Sequence, residues 1–73
     1  MAKIKLSGNF TRAARMDAIN LMDRYDWTNI VHYMDDDIRE AAHLAMAPCA
    51  DIDFLAEYMS RHESAFGESF DIN

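Results

Sequence analysis

A chain of 73 residues lies near the lower limit at which one hydrophobic core sustains a fold without disulfides or metals, so a single domain is expected. Apolar residues make up 51%, enough to exclude disorder for the middle of the chain, and the lone Cys49 cannot close an internal bridge, which fits a reducing cytosol rather than a secreted disulfide scaffold. The net charge of −6 is unevenly placed: residues 1–24 set five cations against two carboxylates (+3), and residues 25–73 set two against eleven (−9), a balance that disfavours nucleic acid or anionic lipid as main partner and favours a basic protein surface.

In chain order, Lys3-Ile4-Lys5-Leu6 alternates with a period of two before Ser7-Gly8-Asn9 breaks it. Phe70-Asp71-Ile72 alternates at the other end, so the termini are candidates to pair as a short two-stranded ribbon. No run of about 18 apolar residues is present to span a bilayer, and the start lacks the apolar stretch of a signal peptide.

The first helix is expected to begin at Asn9 or Thr11, either of which can cap free amides, and to run to about Tyr25 with Phe10, Ala14, Ala18, Leu21, Met22 and Tyr25 along one stripe. Asp26 then caps a short second helix in which Trp27, Ile30, Val31 and Met34 recur at three and four residues. Asp35-Asp36-Asp37 reads as the start of a third helix, where the positive end of the helix dipole offsets three adjacent carboxylates. In that helix Ile38, Ala41, Ala42 and Ala45 are expected to face inward, and Ala47-Pro48-Cys49 ends it. Asp51 or Asp53 caps a fourth helix with Phe54, Leu55, Tyr58, Met59 and His62 on its apolar side and Gly67 as its stop. The expected fold is therefore mainly α: a compact bundle of three to four short helices over 9–67, with an extended arm or edge strand over 1–8 and a tail over 68–73.

Chemistry is sparse. His32, His43, His62 and Cys49 are zinc-type ligands, but no C-x-x-C or H-x-x-x-H spacing joins them, so no metal and no cofactor is expected. The only glycines, Gly8 and Gly67, make no phosphate loop, and a chain this short has little interior for a catalytic pocket, so an enzyme is not expected. The remaining signal is acidic. Asp35, Asp36, Asp37, Glu40, Asp51, Asp53 and Glu57 fall close together around the turn between the third and fourth helices. Antiparallel packing of those helices would bring them onto one face as a partner-binding surface, although ordinary helix capping accounts for most of the positions on its own. Six methionines together with Trp27 and Tyr33 also leave a self-association surface, and hence a homodimer, open.

Met34-Asp35-Asp36-Asp37-Ile38-Arg39-Glu40, Ala47-Pro48-Cys49, Asp53-Phe54-Leu55 with Tyr58 and His62, and Phe66-Gly67-Glu68 with Phe70 together resemble the short acidic proteins of bacteriophages and other mobile elements. The resemblance covers roughly residues 27–70. Such proteins include anti-restriction and anti-CRISPR inhibitors, several of which present carboxylates in place of nucleic-acid phosphates. The resemblance implies a non-enzymatic inhibitor acting in the host cytosol on a nuclease or a CRISPR or restriction complex with a basic surface. The basic first third departs from a pure nucleic-acid mimic and fits a plain protein-binding inhibitor as well. Two other classes are carried forward: a small DNA-binding phage regulator using Arg12, Arg15 and Arg24 on the first helix, and an oligomeric assembly protein working through its Met and aromatic residues.

Overall fold

Four helices follow one another in the computed structural model, which describes residues 12–46 and 48–72: α1 (Arg12–Arg24), α2 (Trp27–His32), α3 (Asp36–Met46) and α4 (Asp51–Phe66). The mainly helical class and the order of elements agree with the pattern of apolar residues. The caps expected at Asn9 or Thr11, the packing of Phe10 and the alternating stretch Lys3–Leu6 lie outside the described residues.

The longest helix, α4, is the centre of the fold. Leu55, Ala56, Glu57, Tyr58 and Met59 are all buried, because α1 covers one side of α4 and α3 another. An amphipathic helix normally buries a single stripe, so burial across consecutive positions marks a helix flanked by two neighbours. On α1 the buried stripe is Ala14, Ala18 and Leu21, and the two alanines let its backbone approach α4. Ile30 of α2 and Met34 join the same core. Each fully buried large aliphatic such as Ile30 or Leu55 contributes about 1.5–3 kcal/mol.

On α3 the inward residues are Ala42 and Met46, with Ile38 partly buried, and Ala45 is exposed rather than inward. The stripe of α3 that meets α4 advances by four residues, 38, 42 and 46, which turns Ala45 and its neighbour Leu44 to solvent. Met34, Met46 and Met59 all enter the core, which removes half of the chain's methionines from any outer docking surface.

Helix boundaries have local causes. Asp35 caps α3: its Oδ1 accepts from the amides of Asp37 (2.9 Å) and Ile38 (3.1 Å). The Asp35 amide in turn donates to the Tyr58 hydroxyl at 2.8 Å, which ties the start of α3 to the middle of α4. Asp26 occupies the cap position of α2 without a side-chain bond. At α4 the cap is Ala50, not Asp51 or Asp53: Asp51 is already the first helical residue, and Asp53 turns toward α1. Gly67 ends α4 with φ 74°, a left-handed conformation that favours glycine, and its amide donates to the Glu63 carbonyl at 2.8 Å.

Beyond Gly67 the chain straps back across the bundle. Phe70 and Ile72 are buried, although they belong to no strand, and the alternation read there as half of a ribbon serves instead to send two apolar side chains inward. Phe70 meets the Tyr58 ring edge to face at 4.8 Å and His62 at 5.4 Å. The strap is pinned by the Tyr25 hydroxyl, which donates to the Ile72 carbonyl (3.2 Å), and by Arg24 beside Asp71 (3.6 Å).

Candidate functional site

The seven carboxylates singled out above separate into two groups. Three are engaged by other groups of the fold. Glu57 is fully buried and accepts from the Arg61 Nε at 2.6 Å, one turn along α4, so it does not belong to an outward surface. Asp53 is ion-paired with Arg15 of α1. Asp35 is occupied by its cap bonds.

Asp36, Asp37, Glu40 and Asp51 remain exposed. On α3 successive residues are about 100° apart, so Asp36, Asp37 and Glu40 fall within one outward arc. Asp51 opens α4, after the loop that follows the opposite end of α3. Asp36 lies 3.3 Å from Arg39, but its side chain is 88% exposed, and a pair so open to water holds the carboxylate only weakly.

Between α2, α3 and the start of α4 lies an open groove of about 710 Å³. Its apolar lining includes Trp27, Val31 and Phe54, and its charged lining is Asp36, Glu40, Asp51 and Arg39. Trp27 and Phe54 meet edge to face with centroids 6.1 Å apart, and His43 packs on Phe54 at 6.5 Å. Asp37 faces the neighbouring cleft between α3 and α4, beside Arg61.

Cys49 is half-buried in the groove lining. Burial raises its thiol pKa above the ordinary value, and the carboxylates of Asp53, Asp51 and Glu57 push it further the same way. The thiol is therefore a poor nucleophile. Among the described residues no cluster of three metal-ligating side chains occurs. None of the described helices is long and apolar enough to cross a membrane.

Two of the three arginines expected to form a basic patch on the first helix have partners. Arg15 is held by Asp53, and Arg24 is shared between Asp71 and the face of the Tyr25 ring at 5.4 Å. A phosphate-binding stripe on α1 would have to break both arrangements.

Sequence reasoning missed the groove itself. The period of α2 puts Trp27 and Val31 on one side of that helix, but only the fold brings the Trp27 ring to the edge of Phe54. Missed too was the burial of Glu57, for which the one available signal was Arg61 four residues later, a spacing that pairs side chains on a helix.

Residues 23–70 match the family model described as Anti-CRISPR protein AcrIC5, a span that takes in α2, α3, α4 and the strap as far as Phe70. No curated protein and no solved structure matches the chain.

Proposed function

The chain belongs to the anti-CRISPR protein AcrIC5 family, and we propose that it inhibits a CRISPR complex by occlusion, presenting Asp36, Asp37, Glu40 and Asp51 to a basic surface that otherwise takes nucleic acid. The observation that carries this reading is the exposure of those four carboxylates, three on the outward arc at the start of α3 and one at the start of α4, while Arg15 and Arg24 of α1 are engaged by Asp53 and Asp71. A surface of that sign attracts Lys and Arg and repels polynucleotides, which raises the rate of encounter with a nucleic-acid channel and fixes orientation in it. The action is stoichiometric and non-enzymatic, and it takes place in the host cytosol, where the complex meets its target.

Reversal of Asp36, Asp37 and Glu40 to lysine tests the reading. Attraction becomes repulsion at three positions, and inhibition of the CRISPR complex should fall at least ~10-fold, equivalent to about 1.4 kcal/mol. Two of the three positions lie in the first turn of α3, where a cation costs ~0.3–1 kcal/mol against the helix dipole, so circular dichroism and a thermal melt accompany the assay. Undiminished inhibition by a folded variant removes these residues from the mechanism.

A further inference from the structure

Building on that reading of the acidic surface, we propose that the groove between α2, α3 and the start of α4 seats a single arginine side chain of the protein partner, its stem on Trp27 and Phe54 and its guanidinium drawn to the carboxylates of the same lining, Glu40 and Asp51 foremost. The chemistry of the lining selects this occupant. Three exposed carboxylates stand against one guanidinium, that of Arg39, which is itself beside Asp36 at 3.3 Å. The excess charge calls for a cation and turns away phosphate.

The walls between those carboxylates are aromatic. Trp27 is only partly buried and lines the groove, so part of the indole stays open to an occupant, and tryptophan is the best aromatic partner for a cation. A planar guanidinium both stacks on such a ring and bonds carboxylates through its fork, whereas an ammonium is a compact, strongly hydrated point charge. Apolar stem and charged head are thereby satisfied at once, the combination found at the buried anchors that dominate protein interfaces.

The probe is a short capped peptide carrying one arginine, compared with peptides in which citrulline, uncharged and of the same shape, or lysine replaces it. Trp27 is the single tryptophan of the chain, so its fluorescence and its indole N–H resonance report the groove alone. The arginine peptide should shift both signals saturably, the citrulline peptide should bind at least ~10-fold more weakly for want of a charged hydrogen-bond donor, and lysine should fall between. In the Glu40→Gln, Asp51→Asn double variant, arginine binding should drop toward the citrulline level, and the amide resonances of Arg39 to His43 follow the same titrations.

Equal binding of arginine and citrulline, or no saturable shift with the arginine peptide, overturns the proposal. So does a Trp27 shift produced by raising the concentration of the protein alone, which would give the groove to a second copy, or one produced only by a DNA duplex. The titration contains no CRISPR complex. Its failure therefore leaves the occlusion reading to the charge-reversal assay, and survival of inhibition after charge reversal leaves the groove's preference for arginine to be judged by the peptides.

Discussion

Replacing Tyr58 by phenylalanine removes one oxygen from the centre of the fold. Tyr58 is fully buried, and its hydroxyl accepts from the Asp35 amide at 2.8 Å. The phenylalanine ring keeps the contacts with Phe70 and His62, so the change isolates the tie between α4 and the start of α3. A neutral hydrogen bond is worth ~0.5–1.5 kcal/mol net, and a donor left dry costs ~1–3 kcal/mol. Asp35 is half-buried and water can partly replace the lost acceptor, so a loss of ~1–2 kcal/mol is expected. For a domain of this size that corresponds to a Tm lower by about 4–16 °C. Thermal melts by circular dichroism measure it, and faster hydrogen exchange at the Asp37, Ile38 and Arg39 amides should accompany it, because the first turn of α3 loses its anchor. A variant that melts within about 2 °C of the parent, with unchanged exchange in α3, would refute the idea that this bond fixes the helix carrying the exposed carboxylates.

Alkaline conditions should weaken the fold in two stages. Folded Cys49 and Tyr58 hold their protons more tightly than their ordinary values of 9.0 and 10.0, so the unfolded chain releases protons first and stability falls as pH rises past each value; Cys49→Ser should remove the earlier stage in urea titrations, and a flat or rising profile would contradict both shifts. Phe70→Ala should cost ~3–5 kcal/mol in denaturant unfolding, since the strap contributes this side chain at 5% exposure to the aromatic cluster on α4; a loss under ~1 kcal/mol would mean that the strap is not part of the core. Arg15→Ala should cost less than ~1 kcal/mol, because the Arg15 and Asp53 side chains are 47% and 29% exposed, and inhibition should persist, since Asp53 is not among the four outward carboxylates.

How far the residues announced this structure depends on the range of the interaction concerned. Local signals were legible: the i, i+3, i+4 spacing of Trp27, Ile30, Val31 and Met34, the helix start at Asp35-Asp36-Asp37, and Gly67 as the stop of α4 are each decided within a turn or two of helix. Pairings across the fold were not. Asp53 looks like a capping residue in sequence, but Arg15, 38 positions earlier, takes it. Glu57 looks like one more outward acid until α1 and α3 enclose α4, and Ala45 changes side because the contact between α3 and α4 runs through residues 38, 42 and 46. The alternation of Phe70 and Ile72 was visible, but its cause, a strap across Tyr58 and Tyr25 rather than a strand, depends on contacts more than ten residues away. Of the candidate surface, the acidic part could be read from charge spacing, while the aromatic groove within it could not.

The most direct test of occlusion is a competition measurement on the purified CRISPR complex with the protein bound and a labelled DNA target added. The account predicts mutual exclusion: the bound protein blocks the target, excess target displaces the protein, and the Asp36, Asp37 and Glu40 lysine variant binds and blocks at least ~10-fold more weakly. Simultaneous binding of protein and target at full affinity would contradict it.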